Sequence, residues 1–309
     1  ILTKVGIYAL LRLSMLLFGS LSGELAGFGS MALLWGGIAT LLFATSGVLA
    51  SQAMGRLAGY SVLISSGTLL ATIGLGNMAV VSGALFYLVS STFAAAALFM
   101  LIELVERARE PGADLLAVTM EAYGDEREET DEPEDEEVGI IMPGALAVLG
   151  VSFGCIALLL AGLPPLSGFF AKFAMLKGMI GDGLQGGGIA ASIWLLVALV
   201  ILSGLAALIA MMRTGIRTFW APLEIVVPRV LVIEVAPILA LIGLCFAMTV
   251  YGGAVLRYTD AASSALHQPA GYIQGVLGAG EPKTGAPKTG APKTGAPKTG
   301  TPKIGAPKK

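Results

Sequence analysis

The sequence has few of the residues from which soluble active sites and metal sites are built. Of its 309 residues only 13% are charged, one is histidine (His267) and two are cysteine. Cys155 and Cys245 each lie alone in an apolar stretch, a pattern typical of small core residues and not of a disulfide. One histidine and two separated cysteines exclude a zinc-type ligand set.

Motifs for nucleotide binding and covalent catalysis are also absent from the sequence. The stretch "GLGNMAVVSG" is not a phosphate-binding loop, because it has no lysine and no strand–helix context. No spacing of nucleophile, base and acid indicates a catalytic triad. We therefore expect no cofactor, no bound metal and no nucleic-acid partner.

Apolar residues are abundant and are grouped in long runs. The chain is 55% hydrophobic with a mean hydropathy of +0.82, and its runs reach the ~18–20 residues that a helix needs to cross a bilayer. This pattern predicts an all-α polytopic membrane protein with about seven transmembrane helices. The candidate spans are 1–19, 31–50, 59–76, 79–104, 141–179, 190–212 and 230–252, with 141–179 counted as one broken crossing.

The arginines between these spans predict the orientation in the membrane. On a seven-span count they all fall on one side: Arg56, Arg107, Arg109, Arg213, Arg217 and Arg229. The positive-inside rule places that side in the cytoplasm and the C-terminus outside. We expect a multi-pass protein of a bacterial inner membrane, with the lipid bilayer as one partner.

Two segments of biased composition lie outside the apolar spans. Ten acidic residues lie between Asp125 and Glu137, and the end of the chain repeats "GAPKT". The acidic segment is a solvated disordered loop or a cation-concentrating antenna at a pore mouth, and the repeat predicts a disordered tail. The expected order is transmembrane helices (1–104), acidic cytoplasmic loop (105–139), transmembrane helices (140–255), interfacial segment (256–278) and tail (279–309).

One apolar run, "AGLPPLSGFFAKF", contains helix breakers. Pro164 and Pro165 remove two backbone donors, while Gly162 and Gly168 permit unwinding around Ser167. In a bilayer such a break is tolerated only where protein or a water-filled cavity satisfies the freed backbone groups. The segment 162–168 is therefore predicted to interrupt a membrane helix, as in transporters that present helix ends to ions.

Lys172 follows the break and is the first candidate for function. A charge at the bilayer centre costs about 2.5–3.5 kcal/mol on insertion scales, so an intramembrane lysine is a functional candidate by default. Lys177 is expected to snorkel, and Lys4 is either juxtamembrane or buried. Arg12 is predicted to share the helical face of Lys4, and Glu234 to be an interfacial carboxylate.

Several stretches resemble one family of membrane proteins. "LLLAGLPPLSGFFAKFAML" and "LTKVGIYALLRL" resemble the antiporter-like membrane subunits shared by respiratory complex I and the Mrp cation/proton antiporters. "MMRTGIRTFW" and "HQPAGYIQGVLG" are similar to the D subunits of the Mrp group, and the acidic loop with "GYSVLISSGTLL" to its Pha-type branch. The resemblance covers residues 1 to about 278.

The resemblance implies a fourteen-helix subunit of which this chain matches the C-terminal half, from the eighth helix onward. It implies that Lys4 is the lysine of the eighth helix and Lys172 that of the broken twelfth helix, both on a mid-membrane polar axis along which protons move. The glutamate of the family's fifth helix and the lysine of its seventh helix would lie upstream of this sequence.

On the helices between the two lysines, the sequence lacks polar residues that relatives in the family carry. Where relatives carry a histidine and a lysine on the eleventh helix, "SSTFAAAALF" has Ser90 and Ala95, and Ser65 replaces a tenth-helix histidine. A relay would therefore need water, held by Ser65, Ser90, Ser91 and Thr92. The alternative for these hydroxyls is ordinary helix packing.

The resemblance leaves three functions to compare. The first is a proton-translocating, non-enzymatic subunit of a hetero-oligomeric K⁺(Na⁺)/H⁺ antiporter. The second is a proton-pumping subunit, without a redox centre of its own, of an NADH–quinone oxidoreductase or membrane hydrogenase. The third is a structural scaffold, for which substitutions at Lys172 would disturb assembly and nothing else.

Overall fold

The computed structural model describes residues 2–19, 23–123, 144–185, 190–220 and 232–268, and within these ranges the regular structure is helical. The acidic run after Gly124 and the C-terminal unit 270–309 lie outside the described residues. A 3₁₀ turn occupies Gly23–Leu25 and a π turn occupies Ile216–Trp220. The α-helices are α1 (Leu2–Phe18), α2 (Ser30–Ala50), α3 (Met54–Leu75), α4 (Met78–Tyr123), α5 (Gly144–Ala161), α6 (Ser167–Gln185), α7 (Ala191–Gly215), α8 (Val232–Val250) and α9 (Gly252–His267).

The predicted all-α membrane fold is confirmed. Within the described residues, five helices are long and apolar enough to cross a membrane: α2, α3, the first part of α4, α7 and α8. The predicted count of seven crossings adds to these five the shorter α1 and the pair α5–α6, which flanks the predicted break. Helix α9 is an additional helix after the last of them.

Contacts between helix ends define two ends of the bundle. The start of α2 packs against the end of α3, because Gly74 lies against the backbone of Ser30 and Leu34. We call this the turn end, since α3 passes into α4 there through Gly76, which has a left-handed φ of 63°. We call the opposite end the arginine end.

Three of the arginines at the arginine end connect helices there. Arg213 donates to the carbonyl oxygens of Leu49 and Ser51, at 2.8 and 2.6 Å, where α2 ends. These are orphan carbonyls at a helix C-terminus, so a cation is a favourable cap for them. Arg217 Nη1 lies 3.3 Å from Gln52 Oε1, and α7 is thereby fixed beside the α2–α3 connection.

The third arginine contact joins α4 to α8. Arg107 and Glu234 form an ion pair of 2.8 Å, and about half of the Arg107 side chain is exposed. An exposed pair of this kind contributes at most about 1 kcal/mol, so it orients α8 more than it stabilises the bundle.

Helix α4 lies at the centre and packs against α3, α5, α6, α8 and α9. It continues to Tyr123, nineteen residues beyond its predicted span.

Two details of the sequence-based prediction need correction. Helix α3 begins at Met54 and not near residue 59. Its first turn lies at the arginine end, where Arg56 can be exposed while the next residue of the helix, Leu57, is buried. Arg12 does not share the face of Lys4: Lys4 is buried with Leu11 and Met15, whereas Arg12 is exposed. Eight residues turn a helix by about 80° beyond two full turns, which is enough to separate the two faces.

Close packing of α2 on α3 depends on glycines at the contact. A methyl group at Gly37 would lie 2.3 Å from the backbone nitrogen of Ala71, and one at Gly67 would lie 2.9 Å from that of Leu41. Gly36, one residue before Gly37, is exposed and has no atom within 4 Å of its own methyl position. Small residues at such contacts let two helix backbones approach in a membrane.

We expect Gly37→Ala to destabilise the protein by about 1–3 kcal/mol, because the extra methyl forces α2 away from α3. Gly36→Ala is the matched control and is expected to be neutral or slightly stabilising, because alanine favours helix. The measurement is the thermal unfolding midpoint of the detergent-solubilised protein. Equal midpoints for the two variants would contradict the packing described here.

Candidate functional site: a broken membrane helix and two buried lysines

The two halves of the broken segment follow one another from the arginine end of the bundle toward the turn end. Helix α5 lies along α7 at the arginine end, where the rings of Phe153 and Phe219 are 5.5 Å apart. Helix α6 continues toward the turn end, where Gly178 packs against Val80 near the start of α4. The break between α5 and α6 therefore lies near the middle of the bundle, as the sequence predicts.

The end of α5 is shaped by Gly162. Its φ of 76° is left-handed, and the backbone nitrogens of Gly162 and Leu163 both donate to the Leu158 carbonyl oxygen, at 3.0 and 3.1 Å. This is the usual way in which a helix ends with glycine at its first non-helical position. It leaves the carbonyl oxygens of Leu160 and Ala161 pointing beyond the helix end.

Lys172 occupies the end of α5. Its Nζ donates to the carbonyl oxygens of Ala161 at 2.8 Å and Leu160 at 3.3 Å, and the side chain is 6% exposed. The lysine therefore satisfies groups that the break leaves without helical partners. A cation also suits this position because the C-terminus of a helix carries partial negative charge.

Glycines make the space that Lys172 occupies. A methyl group at Gly204 of α7 would lie 2.6 Å from the Ala161 carbonyl oxygen and 3.2 Å from Lys172 Nζ. At Gly162 it would lie 2.6 Å from Lys172 Cδ. Gly168 lies against the Leu159 carbonyl oxygen, so the start of α6 packs directly on the end of α5.

Lys4 has a separate environment, where α1 packs against α3. It is 4% exposed, and its Nζ donates to Ser65 Oγ at 2.5 Å. Ser65 is eleven residues after the start of α3, about 16 Å along its axis. Lys4 is thus buried at mid-helix depth, and the juxtamembrane alternative considered for it does not describe this structure.

Hydroxyl groups lie between the two lysines. Ser65 is followed one turn later by Thr68, whose side chain interacts with the phenol of Tyr87 on α4. Ser90 lies one turn beyond Tyr87, and its Oγ is 2.8 Å from that of Ser167 at the start of α6. All five of these residues are buried. We call Ser65, Thr68, Tyr87, Ser90 and Ser167 the hydroxyl row.

The hydroxyl row contains some of the predicted residues and omits others. Ser65 and Ser90, predicted to hold water, make contacts between helices, whereas Ser91 and Thr92 donate to the Leu88 carbonyl oxygen of their own helix. The water-holding role of all four remains a prediction. Sequence reasoning missed Tyr87 and Thr68, although each lies one helical turn from a residue that it did select.

The two buried lysines contact neutral oxygen atoms. Among the described residues, the contacts of Lys172 are to main-chain carbonyl oxygens and that of Lys4 is to a hydroxyl. Lys177, the predicted snorkelling residue, is exposed. The contacts of each buried ammonium within the described residues are therefore with neutral acceptors, so loss of its proton would break no salt bridge there.

We expect Ser90 and Ser167 to be energetically coupled, because removing either hydroxyl leaves the other buried without this partner. In a double-mutant cycle, Ser90→Ala and Ser167→Ala should show a coupling of about 0.5–1.5 kcal/mol in the free energy of unfolding. Thr92→Val is the control, since its hydroxyl bonds within its own helix. Additive losses would show that the contact carries no energy of its own.

Comparison with known proteins identifies the family. The family described as "NADH:quinone oxidoreductase/Mrp antiporter, TM" matches residues 1–206. The chain is 55% identical over 281 residues to the D subunit of a probable K(+)/H(+) antiporter of Rhizobium meliloti (strain 1021), covering 90% of this chain and 52% of that protein. It is 28% identical over 283 residues to the D subunit of the Na(+)/H(+) antiporter of Bacillus subtilis (strain 168), covering 90% and 50%.

A solved structure has the same fold. A chain of the Mrp complex from Dietzia sp. DQ12-45-1b matches with a TM-score of 0.63 and 20% identity, covering 89% of this chain and 53% of that one. The chain spans about half the length of the curated relatives it matches. The sequence match and the break with its buried lysine agree, and the chain belongs to the NADH:quinone oxidoreductase/Mrp antiporter family of membrane subunits.

Proposed function

We propose that the chain is a proton-translocating part of the D subunit in a multisubunit K⁺(Na⁺)/H⁺ antiporter, and that it acts as a secondary transporter and not as an enzyme. The relatives described above include antiporter D subunits named for K⁺ and for Na⁺ exchange. The 55% identity is to a protein named for K⁺, which supports potassium as the exchanged cation. Its partners are the other subunits of the complex, the bilayer, H⁺ and K⁺ or Na⁺.

The observation that carries the proposal is Lys172 at the end of α5. An ammonium in the interior of a membrane bundle is costly, and here it contacts the two carbonyl oxygens that the helix break exposes. The same group can donate to these oxygens when charged and can release its proton without breaking a salt bridge. Lys172 is thus the proton-carrying group of this half of the site.

The hydroxyl row extends the path toward Lys4. A hydroxyl both donates and accepts, so a row of them conducts a proton when water completes the gaps. Ser65 touches Lys4, and Ser167 is five residues before Lys172. We infer that protons move between the two lysines along this row, with water held at Ser65 and Ser90.

The contacts at the bundle ends support the predicted orientation. The arginine end bears Arg56, Arg107, Arg213 and Arg217, whereas the basic residues on the described helices nearer the turn end are Arg12, Lys177, Arg257 and His267. We propose that the arginine end faces the cytoplasm of a bacterial cell together with the acidic segment. The turn end and the C-terminus then face outward.

Replacement of Lys172 in the complete complex tests this function. We expect Lys172→Ala to reduce exchange at least tenfold, because the carbonyl oxygens at the break lose the group that carries the proton. Lys177→Ala is the matched control: this lysine is exposed on the same helix, and its loss should leave exchange unchanged. The measurement is the collapse of ΔpH in everted vesicles from an antiporter-deficient host after addition of KCl or NaCl.

The outcomes separate the three functions. Normal exchange by a correctly assembled Lys172→Ala complex would contradict the proposal. If wild type collapses ΔpH with neither salt while NADH oxidation builds ΔpH through the complex, the respiratory function is correct. If Lys172→Ala changes assembly and exchange per assembled complex is normal, the chain is a scaffold.

A further inference from the structure

Helix α9 is attached to the turn end by polar contacts. Ser263 Oγ donates to the Met78 carbonyl oxygen at 2.7 Å, and His267 Nε2 is 2.9 Å from the Gly76 carbonyl oxygen. These bonds place α9 beside the residues at which α3 ends and α4 begins. They bring one carboxylate of α9 to the wall of the bundle.

That carboxylate is Asp260. The hydroxyl of Ser82 donates to Asp260 Oδ1 at 2.5 Å and lies 3.1 Å from Thr259 Oγ1. Ser82 is buried on α4, whereas Asp260 belongs to the exposed residues. The carboxylate therefore spans the boundary of the bundle, since it accepts a hydrogen bond from the interior while the rest of the side chain is accessible from outside.

Ser82 lies two turns before Ser90 on α4. Ser82, Phe86 and Ser90 follow one another at four-residue steps, each about one turn further along the helix and about 40° further around it, and all three are at most 2% exposed. Ser82 and Ser90 are separated by about 12 Å along the axis. Phe86, fully buried, lies between the two hydroxyls.

The geometry points to Asp260 as the group that exchanges protons between the turn-end surface and the hydroxyl row, with Ser82 as the inner contact and Phe86 as the barrier between Ser82 and Ser90. This inference rests on the proposed function. In the outward step the carboxylate takes the proton of the Ser82 hydroxyl, and Ser82 takes a proton from water on its inner side. Asp260 then releases its proton to the solution and is again a carboxylate.

A purely structural role would use the same contacts to fasten α9 to α4. Asparagine separates the two roles, because its side-chain oxygen still accepts the Ser82 hydrogen bond but does not take up a proton. Ser263→Ala has the opposite effect: it removes a fastening bond of α9 and leaves the carboxylate intact. Glu24→Gln matches the change in charge at an exposed residue of the 3₁₀ turn.

The experiment is exchange by the complete complex in everted vesicles, measured as the initial rate of ΔpH collapse after addition of KCl or NaCl. We expect Asp260→Asn to lower the rate at least tenfold with normal assembly, and Asp260→Glu to retain most of it. Ser263→Ala and Glu24→Gln should exchange like wild type. Ser82→Ala, which keeps the charge of Asp260 but removes the inner hydroxyl, should also lower the rate about tenfold.

Normal exchange by Asp260→Asn, or by an assembled Ser82→Ala complex, would overturn this inference. Equal losses in Asp260→Asn and Ser263→Ala would also overturn it, because the contacts would then serve only to fasten α9. Failure of the proposed function looks different, since wild type would show no salt-dependent exchange. Exchange in wild type, its loss in Lys172→Ala and its full retention in Asp260→Asn would refute the role of Asp260 alone.

Discussion

An interrupted helix inside a membrane bundle must find partners for the backbone groups that it frees, and this constraint organises the structure around residue 162. The carbonyl oxygens of Leu160 and Ala161 cannot be left to lipid, where each unsatisfied group costs several kcal/mol. Lys172 supplies the donors from the first turns of the next helix. The break and the lysine are therefore one feature: the break provides acceptors for a buried charge, and the charge satisfies the break.

The break and Lys172 restrict which residues the surrounding helices can carry at their contacts. Helix α7 has glycine at position 204 because any larger residue would meet the Ala161 carbonyl oxygen and the Lys172 ammonium. Helix α6 begins with Ser167 bonded to Ser90, which fixes the new helix start against α4. Helix α4 is consequently in contact with the break on one face and with α3, the partner of Lys4, on another. It is the element that packs against the helices bearing the contacts of both buried lysines.

The sequence alone was sufficient to predict the features that depend on a single helix. Runs of apolar residues gave seven crossings, the paired prolines gave the break, and the cost of a charge in lipid singled out Lys172. The predicted span began at residue 59 because Arg56 was counted as part of the loop between two spans, although at the end of a bundle an arginine can be exposed while its helix continues. Composition indicates which residues are in the membrane, but not which way each of them faces.

The contacts between helices were the part that sequence could not supply. Serine and threonine inside a membrane helix can bond to their own backbone, as Ser91 and Thr92 do, or to a neighbouring helix, as Ser65 and Ser90 do, and the two kinds have the same sequence pattern. Tyr87 and Asp260 are recognised as members of polar contacts only when their partners on other helices are known. For Asp260 the partner is Ser82, 178 residues earlier. A polar path through a bundle is thus a property of helix packing, and its members are recognised when the neighbour of each hydroxyl is known.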